Sequence, residues 1–217
     1  MDVFLLSQNF SKQLKIAKNN YLQGDVVIVD QFETYINAFK AMDLNLLDND
    51  LKKKAFFINL YNGFTSYLII KEGVKKSVKE IPDFFKIPII TLNQYTFSLD
   101  DIEHGLLRKN ARKHILPNDK RLQFMVDNLD YRIHFALNCG ALSCPPIANY
   151  TLANIDAELN LATSVFTENE FIIDDKTQTI MCSEIFIWYK EDFSNMYLDH
   201  PKFKDYSVIK RPYSWFL

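Results

Sequence analysis

Glycine is scarce in this chain, five residues in 217, and no phosphate-binding glycine loop is present. Nothing matches a P-loop, a dinucleotide fingerprint, a G-x-S-x-G elbow or an H-E-x-x-H helix. Basic excess is also missing. The formal charge is −2, so binding nucleic acid through its phosphates, which needs clustered Lys and Arg, is excluded as an expectation. Three cysteines are too few for a disulfide scaffold, and the odd count suits a reducing compartment. Long apolar runs are absent too. The apolar-rich uncharged stretch Ala55 to Ile70 is short for a bilayer and carries Asn59, Asn62 and Gly63, so no transmembrane segment is expected. The opening "MDVFLLSQNFSKQLK" has Asp2 where a secretory leader carries positive charge. A cytoplasmic protein is expected, or an exported one if a leader has been removed.

What is present is apolar and aromatic. Nearly half the residues are apolar, with 18 Phe and 11 Tyr, enough for one sizeable core. Residues 2–20 and 29–42 read as helices, and a longer helix starts near Asn49 with Gly73 close to its end. "IPIITLNQYTFS" reads as two short strands around a turn at Asn93. A helix follows, with Ser98 as N-cap and Asp101 three residues on. "RIHFALN" reads as a strand and "TLANIDAELNLATSVFTEN" as a helix capped by Thr151. "FIIDDKTQTIMCS" reads as a hairpin, "SEIFIWYKEDF" as a short aromatic helix, and "VIKRPYSWFL" as an extended tail. Helices and strands mix without regular βαβ alternation. The expected fold is therefore α+β, one globular domain whose helical N-terminal third packs on a small mixed or antiparallel sheet with further helices.

Three constellations carry polar chemistry. Asn59, Asn62, Gly63 and Ser66 form one polar stripe on the greasy long helix. Each buried amide needs partners, or it costs about 1–3 kcal/mol. The stripe therefore either pins a neighbouring loop or lines a site. In "SLDDIEHGLLRK", Asp100 and Asp101 suit the helix dipole. Glu103 and His104 lie deeper, and adjacent helical residues diverge by about 100°, so the two should not face one cavity squarely.

The third is "RIHFALNCGALSCPPI", residues 132–147. Cys139 follows the expected strand directly, Gly140 permits a left-handed turn, and Pro145 stretches the chain at Cys144. Along an extended strand His134 would lie about 16 Å from Cys139, so His104 is the better candidate base. Buried free cysteines are mostly inert, which makes a plain structural corner the competing reading. No set of residues has metal-ligand spacing, and neither a metal nor a cofactor is expected.

Four ordered stretches, "KKAFFINLYNGFT", "SLDDIEHGLLR", "RIHFALNCGALSCPPI" and "IFIWYKEDF", together resemble the bacterial branch of the family called domain of unknown function 547. The resemblance covers the chain from about Leu44. It implies a family core over 44–217 behind a helical N-terminal extension, 1–43. The family pattern is firmest at the positions of Asn59, Asn62, Glu103, Cys139 and Gly140, and looser at His104, His134 and Cys144. It thus favours Cys139 over Cys144 and argues against one histidine base for all members. The tail "YSWFL" departs from the family's usual "YDWSLN"-like end.

The resemblance carries no activity of its own. Two functions are expected from the residues it joins. One is a cysteine-dependent hydrolase or acyl transferase. In it Cys139 is the nucleophile, His104 the base, and Glu103 its orienter or a polarising acid. Asn59, Asn62, Gly140 and His134 bind substrate or oxyanion. The other is a non-enzymatic module in which the same residues shape a groove for a peptide or small-molecule ligand.

Overall fold

The computed structural model describes residues 2–217. Helix α1 (Val3–Gln23) starts where the Asp2 carboxylate accepts the Phe4 and Leu5 N–H groups, and stops at left-handed Gly24. Helix α2 (Glu33–Lys40) follows a short 3₁₀ turn. Helix α3 (Asp50–Lys71) is capped by the Asn49 side chain, and every residue from Lys53 to Ile70 is buried. A helix apolar all round belongs at the centre of a core. α1 packs along it, with the Phe10 and Phe64 rings 4.9 Å apart. Gly63 permits that approach: a Cβ there would stand 2.5 Å from Phe10 Cδ1. The two lysines on the buried stretch are both neutralised or satisfied. Lys53 Nζ donates to the Met125 carbonyl at 2.7 Å, and Lys54 Nζ meets Asp130 at 2.6 Å.

Strands β1 (Ile90–Leu92) and β2 (Tyr95–Phe97) form the expected hairpin, Ile90 opposite Phe97, with Asn93 at φ 52° in the turn. The Ser98–Asp101 capping box is present: Ser98 N–H donates to Asp101 at 2.9 Å and Asp101 N–H to Ser98 Oγ at 3.1 Å. The helix it opens, Asp101–Leu107, is a single π-helical stretch. Helix α4 (Ile155–Glu170) leads into β3 (Phe171–Asp174), which pairs antiparallel with β4 (Thr179–Ser183). After the short aromatic helix α5 (Ile185–Trp188), β5 (Ser207–Arg211) joins β4 in parallel. The fold is α+β in one domain, with a two-stranded hairpin and a mixed three-stranded sheet.

Two apolar clusters result. One surrounds α3; the other is the aromatic set Phe135, Phe166, Phe171, Phe186 and Phe193 beside the mixed sheet.

Two local expectations need correction. "RIHFALN" is not a strand: Tyr131–Phe135 is a 3₁₀ turn whose first N–H groups are capped by Asp130. Its alternating apolar residues arise because Ile133 belongs to the α3 core and Phe135 to the aromatic cluster. Burial between two cores imitates the period of a strand. Thr151 does not cap α4 directly, since the helix starts at Ile155. It instead ties the approach to the helix, donating its N–H and hydroxyl to Glu158 at 2.6 and 2.8 Å.

Gly63→Ala should destabilise the fold by about 1–3 kcal/mol, because overpacking at Phe10 outweighs the better helix propensity of alanine. In urea unfolding the midpoint should fall at unchanged slope. A midpoint at or above that of the parent protein would show that α1 and α3 are not held at this separation.

Candidate functional site

A cleft of about 200 Å³ opens among the π-helical segment, the cysteine loop, α5 and the C-terminal tail. Glu103, His104, His134 and Cys139 all line it, together with Cys144. Two sequence arguments had kept these residues apart. Glu103 and His104 do share one cavity, both lining it from the π-helical stretch Asp101–Leu107. His134 also reaches the cleft of Cys139, because the 3₁₀ turn removes the extended spacing assumed between them.

Asn59, Asn62 and Gly140 stand behind the wall. Asn62 Nδ2 donates to the Ala136 carbonyl at 3.0 Å, and its Oδ1 accepts the Asn138 N–H at 2.8 Å. Asn138 extends the chain of amides, donating to the Pro145 carbonyl at 2.6 Å and accepting the Gly140 N–H at 2.9 Å. Asn59 Nδ2 spends both hydrogens on the Ala55 and Tyr150 carbonyls, at 2.8 and 2.6 Å, which leaves none for an oxyanion. Gly140 holds φ 95°, and a Cβ there would meet Ile69 Cδ1 at 2.6 Å. These residues shape the cysteine loop from α3.

The tail closes the loop from the other side. Leu142 N–H donates to the Phe216 carbonyl at 2.6 Å, and Ser214 N–H donates to Ser143 Oγ at 2.8 Å. This strap sets the Tyr213 hydroxyl 3.1 Å from Cys139 Sγ and 2.8 Å from Cys144 Sγ. The backbone N–H of Cys139 donates to Cys144 Sγ at 3.1 Å.

The two thiols are therefore unequal. Burial works against a Cys144 thiolate, but donors from the Cys139 thiol, Tyr213 and the Cys139 backbone outweigh it and bring its pKa down. Cys139 moves the other way, pushed up first by its bond to Cys144 and then by burial. The donors around the pair thus favour Cys144 as the sulfur that gives up its proton first, whereas the sequence had favoured Cys139. Lys18 of α1 feels the charge of both sulfurs, although burial lowers its own pKa. Cys182 takes no part: it is fully buried in β4 and pushed up to about 11.

The opposite wall is a charged network. Burial penalises the Glu103 carboxylate, yet His104, a bond from Tyr189, His134 and Arg108 more than offset this and keep its pKa below the ordinary value. Tyr61 and Tyr189 donate to its two oxygens at 3.1 and 2.8 Å. Arg108 Nε donates to Asp192 at 2.6 Å, and its Nη1 meets His104 Nδ1 at 2.9 Å. A guanidinium only donates, so Nδ1 is the acceptor and the neutral ring carries its proton on Nε2. That nitrogen lies 4.0 Å from Asp100, on the cleft wall. His134 Nε2 donates to Asp192 at 2.7 Å while its ring stacks on Tyr189 at 3.9 Å. Burial nevertheless keeps the His134 pKa below its usual value. The partners of the two sulfurs are Tyr213 and the loop itself; no imidazole bonds to either.

Sequence reasoning missed Arg108, Asp192, Tyr61, Tyr189 and Tyr213. The first four lie within the four quoted stretches that carry the family resemblance, and that is the only signal they gave. Among the described residues no group of three side chains is placed to hold a metal ion, and no helix is long and apolar enough to cross a membrane. A family model described as "Protein of unknown function, DUF547" matches residues 44–167. No curated protein and no solved structure matches the chain.

The network makes a prediction about acid. Asp192 is held at about 2 against an ordinary 3.8, by His134 and Arg108 acting against burial. A depressed carboxyl stabilises the fold above its unfolded value, here by about 2 kcal/mol, and that stability is lost as pH falls from about 4 through about 2. His134 has the same sign, its contribution disappearing as pH drops below its ordinary 6.5. Urea unfolding across this range should show Asp192→Asn less stable at pH 7 and lacking about 2 kcal/mol of the acid-limb fall. An acid limb of undiminished depth in the variant would contradict the network.

Proposed function

The chain belongs to the DUF547 family, whose description names no activity, and we propose that it is a thiol-dependent hydrolase or acyl transferase working in this cleft. One observation carries the reading. The Cys144 sulfur sits against the Cys139 N–H and the Tyr213 hydroxyl, in a cavity shared with an imidazole and a buried carboxylate. A nucleophilic cysteine needs such donors to exist as thiolate near neutral pH.

The chemistry is acyl transfer. The Cys144 thiolate adds to a carbonyl carbon, and the π pair moves to oxygen. As the S–C bond forms, sulfur loses its charge, so the Cys139 N–H and the Tyr213 hydroxyl are released toward the new oxyanion. These donors replace Asn59 and Asn62 in that role, since the two amides are committed to backbone. The leaving group departs toward the His104 Nε2–H, which donates a hydrogen bond to its developing charge, and takes its proton from solvent; water or a second acceptor then takes the acyl group from sulfur. Arg108 fixes the His104 tautomer through Nδ1. Cys139 keeps its own thiol proton throughout.

The test is a panel of acyl thioesters and nitrophenyl esters, read by release of the leaving group and by intact mass. An acyl adduct on Cys144 is expected. Cys144→Ser should lower kcat/KM by about 10² or more, and His104→Ala should lower it by about 10². If acyl donors bind without turnover and without an adduct, the hydrolase reading fails in favour of the ligand-binding module. Turnover unchanged in Cys144→Ser would exclude this sulfur as the nucleophile.

A further inference from the structure

The placement of the two sulfurs supports a second chemistry. We propose that Cys139 and Cys144 form an oxidisable pair that a hydroperoxide converts to an intramolecular disulfide.

The geometry favours closure. Both sulfurs contact one hydroxyl, that of Tyr213, at 3.1 and 2.8 Å, and Cys144 Sγ already lies 3.1 Å from the backbone nitrogen of Cys139. Gly140 at φ 95° and the turn from Cys144 N–H to the Ala141 carbonyl, 3.0 Å, fold the loop back on itself. Asn138 holds both ends of the loop, through the Gly140 N–H and the Pro145 carbonyl. The pinned loop thus holds the two sulfurs around one hydroxyl, in position to be joined. Both thiols are partly exposed and line the cleft, so a small oxidant reaches them. The asymmetry of the pair, with Cys144 Sγ against both a backbone N–H and the Tyr213 hydroxyl and Cys139 Sγ against the hydroxyl alone, suits an attacking and a resolving cysteine.

The steps balance. The Cys144 thiolate attacks the terminal oxygen of the hydroperoxide. An S–O bond forms, the O–O bond breaks, and the alkoxide or hydroxide leaves to take up a proton. Cys139, losing its proton, then attacks the sulfenic sulfur. The S–S bond forms, the S–O bond breaks, and hydroxide leaves as water. Two electrons pass from the two sulfurs to the peroxide, which ends as an alcohol, or water, plus water. One proton comes from Cys139; the other is returned by solvent in place of the one Cys144 had lost. A thiol reductant reverses the closure. Disulfide formation stands independently of the acyl-transfer reading; only its effect on turnover rests on that reading.

The experiment treats the native full chain with hydrogen peroxide. Its readouts are intact mass, alkylation of remaining thiols after denaturation, and peptide mapping. The expected result is loss of two hydrogens, a Cys139–Cys144 cross-linked peptide, Cys182 as the one alkylatable thiol, and full recovery with dithiothreitol. Cys144 should react roughly ten times faster than Cys182 or more. In Cys139→Ser, Cys144 should instead proceed to sulfinic and sulfonic acid, with Cys182 still protected as a check on folding. Three alkylatable thiols after treatment, or parent protein ending in sulfinic acid without a cross-link, would overturn the proposal. So would a disulfide to Cys182 or to a second chain. The intact-mass readout needs no substrate, so it can fail or succeed whether or not acyl transfer is found.

Discussion

Residues 133–138 are buried between two apolar cores, yet neither a strand ladder nor an α-helix satisfies the backbone of the segment they open. Everything at the cleft depends on how that burial is made tolerable. An unpaired buried N–H or C=O costs about 1–3 kcal/mol, so an irregular segment in such a place needs donors and acceptors supplied from outside. The amides of α3 supply them. Asn62 takes Ala136 and Asn138, Asn59 takes the backbone N–H and C=O of Tyr150, and Asn138 carries the pattern on to Gly140 and Pro145. A central helix that is otherwise apolar thus holds the loop that presents both thiols.

The opposite wall obeys the same rule with charges in place of amides. Glu103, Arg108, His134 and Asp192 are all buried or nearly so, and each is paired or hydrogen-bonded. Such groups rarely add net stability over apolar packing, but removing one partner strands the next. The network therefore fixes the positions of His104 and Glu103 firmly. Between the two walls lie the groups that the proposed acyl transfer would use: a sulfur with donors, and an imidazole with a defined tautomer.

Much of the fold was legible in local sequence. Asn49, Asn93 and the Ser98–Asp101 pair act through neighbours two to four residues away, and each marks the boundary the sequence gives it. The polar stripe of α3 was legible as loop-pinning, because buried amides must find partners. "RIHFALN" was misread because burial between two cores repeats the alternation of a strand. That error, together with the expectation that the neighbours Glu103 and His104 could not both face one cavity, separated residues that in fact share the cleft. Arg108 meets Asp192 from 84 residues away, and Tyr213 meets Cys144 from 69. No local pattern announces such pairs. The order of acidity within the thiol pair was equally hidden, since it rests on one backbone N–H and a hydroxyl from the tail.

The account stands or falls on whether Cys144 carries a thiolate near neutral pH. The direct measurement is its rate of iodoacetamide alkylation against pH in native protein, with site assignment by peptide mass and with Lys18, Tyr213 and Cys139 as the titratable groups facing it. The account predicts labelling at Cys144 before Cys139, with an apparent pKa below the free-thiol value of about 8.5. Labelling of Cys144 only after denaturation, or with an unshifted or raised pKa, would contradict it and leave the cysteine loop a structural corner.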